Sequence, residues 1–298
     1  MIDLKKLTTE QRHPDTLLLD TMSPLEIITI MNQEDAKVIQ AIKEELPKIA
    51  QVIEWCTHAL KVKGRIIYLG AGTSGRLGLL DAAECPPTFG VDHNTVVGLL
   101  AGGVDAFVKA IEGAEDSHTL AQEEMKAIQV NANDVIIGIA ASGRTPYVIH
   151  GLKYAKTLGC KTVSMSNNKD SEMAQVADLA IEVVTGPEVL TGSTRLKAGT
   201  SQKLVLNMIS TASMIGVGKV YENLMVDVMQ TNQKLITRAE NIVMSATQCD
   251  RESAKTTLQQ AHGSVKVAIT MILMQCDEPQ ALKMLEQAQG HIRHCVKQ

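Results

Sequence analysis

From Leu25 the apolar residues recur at Ile28, Met31, Ala36, Ile39 and Ile42, close to the 3.6-residue period of a helix. Ser23-Pro24 stands just ahead of this run. A serine oxygen caps free amides, and proline suits the first helical position. Pro47 interrupts the pattern and a second helical stretch continues to about Val62, so an N-terminal helical hairpin is expected. Residues 1 to 22 have little periodicity and contain His13-Pro14, which predicts an extended arm.

At Lys63-Gly64 the texture changes. Short β-branched runs appear at Arg65 to Leu69, Thr95 to Leu100, Val135 to Ala140, Lys161 to Met165 and Leu179 to Val184. Between them lie helical segments at 104 to 112, 118 to 129 and 145 to 158. Short apolar strands joined through helices predict a parallel sheet, because parallel neighbours need crossovers. Residues 63 to about 220 therefore read as one doubly wound α/β domain. After Gly199 the pattern is helical: 200 to 217, 221 to 245, 251 to 261, 264 to 275 and 278 to 295. The expected division is an arm and hairpin over 1–62, the α/β domain with its following helices over 63–246, and a small C-terminal helical domain of three helices over 247–298.

Composition narrows the function. The 298 residues carry 29 Lys+Arg against 33 Asp+Glu, 45% hydrophobic and 21% charged residues, an ordinary globular balance. One Trp, four Tyr and two Phe are too few for a base-stacking platform. The acidic first 60 residues also lack the basic face of a DNA-binding helix-turn-helix, so no nucleic-acid partner is expected. No run approaches the ~18 to 20 apolar residues of a membrane span, and the first residues lack a signal-peptide core, which points to the cytoplasm. Six cysteines lie far apart without a C-x-x-C, and His58, His93, His118, His150, His262, His291 and His294 show no ligand spacing. Neither a metal site nor a disulfide framework is expected.

Two loops carry the candidate chemistry. The first strand runs into Gly70-Ala71-Gly72-Thr73-Ser74-Gly75-Arg76 and then a helix. Glycines let backbone amides approach an anion, the hydroxyls of Thr73 and Ser74 donate further bonds, and a helix start adds positive dipole character. The Gly-Lys-Ser/Thr of a nucleotide P-loop is missing. The strand at 135 to 140 ends similarly, in Ser142-Gly143-Arg144-Thr145-Pro146. Two such strand ends can converge on one phosphorylated small molecule, since ligands settle beyond the carboxyl ends of strands at a switch point. A dinucleotide would need an acid at the end of the second strand, and Asp92 comes too early for that. A third polar loop, Thr191 to Ser201, adds Arg195 and Lys197 to Arg76 and Arg144 as cations for an anionic substrate.

Gly-x-Gly-Thr-Ser-Gly-Arg and Ala-Ser-Gly-Arg-Thr-Pro resemble the phosphate loops of the sugar isomerase (SIS) domain. The longer strings GAGTSGRLGLLDAAECPPTFG (70 to 90), IEGAEDS (111 to 117) and TRLKAGTSQKLVLNMIS (194 to 210), with TEQRHP (9 to 14), resemble the N-acetylmuramic acid 6-phosphate etherase family of bacterial cytoplasmic lyases. That resemblance covers nearly all of the chain. It implies an SIS-type sheet, a phosphorylated amino sugar as substrate, a homodimer and no cofactor. The substrate would be held by Gly72, Thr73, Ser74, Ser142, Gly143, Arg144, Thr145 and Lys197. Glu84 and Glu115 match the family's catalytic positions, Glu115 as the better candidate for the base. Glu84 falls in Ala-Ala-Glu-Cys-Pro-Pro, where the prolines should stop the helix and the apolar company should leave the carboxyl poorly solvated. Ten helical residues at ~1.5 Å each would put Glu84 roughly 15 Å from Ser74, so either the helix turns back early or Glu84 serves a neighbouring subunit.

Overall fold

The computed structural model describes residues 7–109, 111–228 and 233–296. The chain falls into two compact units, Met1–Ala83 with Asn94–Ser210, and Glu84–His93 with Thr211–Gln298. The N-terminal segment thus shares a unit with the sheet, whereas the sequence pattern places a boundary at residue 63.

In the first unit β1 (Ile66–Gly70), β2 (Val96–Leu100), β3 (Val135–Ile139), β4 (Lys161–Ser166) and β5 (Leu179–Glu182) form a parallel sheet in the order β2-β1-β3-β4-β5. This is the doubly wound sheet the pattern predicts. Every residue of β1 and β3 is buried, which is why these strands read as unbroken apolar runs rather than alternating ones. The crossovers are α2 (Gly72–Phe89), α3 (Leu120–Ala127), α4 (Pro146–Thr157) and α5 (Glu172–Val176). The helix expected over 104 to 112 is only a 3-10 turn at Val104–Phe107. Gly102, Gly103 and Gly113 around it all have positive φ, which suits a loop and not a helix.

The expected N-terminal hairpin is instead one helix, α1 (Pro24–Lys61), opened by the predicted Ser23 cap and by the Ser23 amide, which donates in return to the Glu26 carboxylate. Pro47 lies inside it. Its buried positions Val38, Ile42, Glu45, Ile49, Val52, Cys56 and Ala59 alternate in steps of four and three straight through the proline. That stripe packs on β1, β3 and β5. Burial of one continuous face therefore outweighs the single backbone bond that proline removes. Pro47 itself is exposed, so Pro47→Ala should restore that bond and raise stability by about 1 to 3 kcal/mol. A lowered urea midpoint would show that the helix needs its proline.

The second unit holds a β6 (Val220–Tyr221) and β7 (Leu224–Met225) hairpin and helices α7 (Gln233–Thr247), α8 (Arg251–Gln260), α9 (Val265–Met274), α10 (Glu278–Gln287) and α11 (Ile292–Val296). The helix α6 (Lys197–Gly216) precedes them. The hairpin replaces the first part of the helix expected over 221 to 245, with Glu222 at positive φ in its turn. The expected helix over 278 to 295 breaks at Gly290, also at positive φ. Asp250, Ser264 and Asp277 cap α8, α9 and α10, and these helices bury Leu258, Ile269 and Leu285 in a shared core with Val243 of α7. Among the described residues no helix is long and apolar enough to cross a membrane.

Candidate active site

The chain leaves β1 towards β2 on one side and returns to β3 on the other, so the sheet's switch point lies between β1 and β3. Gly70 pairs with Ile139, and the two candidate loops therefore start side by side. In the first loop Gly75 and Gly70 touch: a Cβ on Gly75 would sit 2.4 Å from the Gly70 oxygen. Only glycine permits that return. Helix α2 begins at once, with Thr73 half-buried and Ser74 buried. In the second loop Gly143 has φ +70°, and a Cβ there would meet Ser171 at 2.3 Å. The Arg144 amide donates to Ser142 Oγ at 3.3 Å, and Pro146 opens α4. Two helix starts thus lie at the carboxyl end of the sheet, α2 with the first-turn amides that a helix leaves unpaired and α4, whose Tyr147 and Val148 amides are already engaged, with the hydroxyls of Ser142 and Thr145 beside it.

Glu115 joins them. Its carbonyl accepts the Tyr147 amide of α4 at 3.0 Å, which ties its segment to the second loop. It lines a cleft of about 310 Å³ together with Gly72 of the first loop, Arg76, Ala101, Ala106 and Ile111. Tyr147 also ties α4 to α3, since its buried hydroxyl donates to Glu124. Burial pushes the Glu124 carboxyl up, against the pull of this bond.

The cations divide. Arg144 turns away to pair with Glu172 at 2.8 Å. Lys197, 2% exposed, gives its ammonium to Glu34 at 2.7 Å and does not line the cleft. Glu34 also meets His13 at 3.2 Å, which locks the N-terminal arm to α1 and to the start of α6. Buried Glu188 caps that start through the amides of Lys197 and Ala198. Burial raises the Glu188 carboxyl, with these amides opposing. Arg76 stays on the cleft wall.

Glu84 departs from expectation in two respects. Pro86 and Pro87 do not stop α2, which continues to Phe89 and closes where the Gly90 amide reaches the Pro86 oxygen at 2.9 Å. Proline lacks only its own donor, and the turn survives because this helix buries Gly78, Asp81, Ala82, Cys85 and Phe89 along one stripe. Glu84 falls on the opposite side with Leu80 and Pro87, exposed in this chain rather than in an apolar niche.

Sequence reasoning missed Asn167 and Asn168 at the end of β4. Asn168 Nδ2 donates to the Ala141 oxygen at 3.0 Å, and its Oδ1 accepts the amide of Thr8 at 2.7 Å, so it staples the arm to the second loop. An Asn pair at the carboxyl end of a predicted strand was the available signal.

The sheet order, the switch point and paired hydroxyl-and-glycine loops define an SIS-class protein. The SIS domain model matches residues 114–212, and the model of the glucokinase regulatory protein N-terminal SIS domain matches 48–156. The fold is shared with phosphoheptose isomerase from Neisseria gonorrhoeae, at TM-score 0.51 and 18% identity over 64% of this chain and 98% of that one. Far closer in sequence are proteins named N-acetylmuramic acid 6-phosphate etherase. The one from Exiguobacterium sp. is 60% identical over 270 residues, and the one from Bacillus cytotoxicus 58% over 271, each covering 91% of this chain and 92% of its own. The chain belongs to the N-acetylmuramic acid 6-phosphate etherase family.

Proposed function

We propose that this chain is a cytoplasmic lyase that cleaves the D-lactyl ether of N-acetylmuramic acid 6-phosphate, giving N-acetylglucosamine 6-phosphate and D-lactate. The observation that carries the reading is the position of Glu115, in one cleft with the Gly72 loop and bonded through its carbonyl to the start of α4. Gly72, Thr73, Ser74, Ser142, Gly143 and Thr145 would hold the phosphate ester, with Arg144 framing the second loop. Opening of the sugar ring leaves an aldehyde at C1 that acidifies the C2 proton. Glu115 takes that proton, the C3–oxygen bond breaks, and an acid protonates the departing lactate oxygen. Water then adds across the C2–C3 double bond and restores the C3 hydroxyl. Proton transfers between two carboxyl groups of different affinity suffice for these steps, without metal or organic cofactor.

Glu84 is the acid in this scheme. Because α2 runs unbroken from Gly72 to Phe89, Glu84 lies ten residues and about 15 Å along the axis from Ser74. We place it in the cleft of a second copy, in a homodimer that shares its active sites. Incubation with N-acetylmuramic acid 6-phosphate in ¹⁸O-labelled water should release D-lactate and place label at C3 of the amino sugar. Glu84→Ala and Glu115→Ala chains, each inactive, should regain up to about a quarter of wild-type activity when mixed, the share of sites that receive both intact residues. Release of no lactate would refute the etherase reading, and mixtures that stay inactive would refute the shared site.

A further inference from the structure

We propose that the outer edge of the Arg76 guanidinium is a carboxylate subsite of the cleft and holds the lactyl carboxylate of the substrate, an inference that rests on the etherase reading above. A guanidinium has five N–H donors in a rigid plane. In Arg76 the Nε proton is shared between the carbonyls of Phe107 at 2.9 Å and Ala106 at 3.2 Å, and one Nη2 proton goes to Ala106 at 2.8 Å. These bonds fix the plane from one side. Both protons of Nη1 and the second of Nη2 remain, and among the described residues none of the three has a partner and no acidic side chain is paired with Arg76. The free Nη1–Nη2 edge has the spacing for bidentate capture of a planar carboxylate.

The surroundings favour that occupant. N-acetylmuramic acid 6-phosphate carries two anions, and the two helix starts answer the phosphate. A second anion entering this cleft meets the acidic side chains of Glu112 and Glu115 on the same wall. It needs a local cation to offset them. Arg144 is engaged by Glu172 and Lys197 by Glu34, which leaves Arg76 as the cation of this cleft that no acidic side chain engages among the described residues. Ala101, Ala106 and Ile111 line the same cleft and give it an apolar part for the lactyl methyl group.

Turnover of N-acetylmuramic acid 6-phosphate and of its neutral lactyl amide by the wild-type chain and R76Q, with binding of N-acetylglucosamine 6-phosphate to both, tests this. The wild type should prefer the acid by about 10- to 100-fold in kcat/KM, the worth of a charge-assisted bond. R76Q should bring that preference within threefold. Its affinity for N-acetylglucosamine 6-phosphate, which has the phosphate and lacks the carboxylate, should change less than threefold. Equal use of acid and amide by the wild type would overturn the inference even if R76Q failed to fold. So would a preference that R76Q retains, or an equal loss of affinity for N-acetylglucosamine 6-phosphate, which would assign Arg76 to the phosphate. A wild type that turns over neither compound would sink the etherase reading itself, a result distinct from these.

Discussion

Glu115→Gln should lower kcat by about 10²- to 10⁴-fold, the range a positioned general base supplies, while KM stays within about threefold. Glutamine has the shape of glutamate, and the bond that fixes this segment uses the Glu115 backbone carbonyl rather than its side chain. Tyr147 therefore still grips the loop at Glu115 through its amide and α3 at Glu124 through its hydroxyl. What the substitution removes is the ability to accept the C2 proton. Solvent deuterium should exchange into C2 of the sugar with the wild type and cease to do so with E115Q. Glu84→Gln separates the two roles. An acid is needed only to release the ether oxygen, so E84Q should keep C2 exchange while losing lactate release. Retention of more than a tenth of kcat by E115Q would remove Glu115 from the chemistry, and exchange that fails in E84Q but survives in E115Q would reverse the assignment.

What was legible in the sequence was whatever depends on local order. The five strands, the Ser23 cap and the two glycine loops follow from residues within a few positions of one another, and they stand where periodicity and turn chemistry put them. The misread helix ends at the three prolines share one cause. Pro47, Pro86 and Pro87 are local helix breakers, but each sits in a helix whose buried stripe runs past it, and tertiary burial decided the outcome. The hairpin at 220 to 225 was hidden for the opposite reason, since two-residue strands are too short to show a period. Side-chain partners distant in sequence could not be read at all. His118 and His150, scattered on the chain, stack with ring centroids 4.2 Å apart, joining the Glu115 segment to α4 once more. Lys197 looked like a substrate cation because nothing near it shows that Glu34, 163 residues earlier, would meet it.

That ion pair sets the largest stability effect. Lys197→Met should cost about 3 kcal/mol in urea unfolding, the lower end for breaking a buried pair, because it takes the buried ammonium from the Glu34 carboxylate and leaves it only His13 and the exposed Lys37. Burial alone would raise the Glu34 carboxyl, but Lys197, Lys37 and His13 together bring it down to about 2. A folded-state value below the ordinary 4.5 means that the stabilisation is complete above pH 4.5 and is lost as pH falls through 4.5 towards 2. The gap between wild type and K197M should therefore close over that window. Adding Glu34→Leu removes the stranded charge and should return most of the lost stability, since apolar replacement of a buried pair is often neutral. The double variant also decides what Lys197 does. Glu188 still caps the start of α6 through the backbone, so if the lysine serves only to lock α1 to α6, turnover should recover with stability, to within about tenfold. Recovery of stability without turnover would mean that the ammonium leaves Glu34 to meet the substrate.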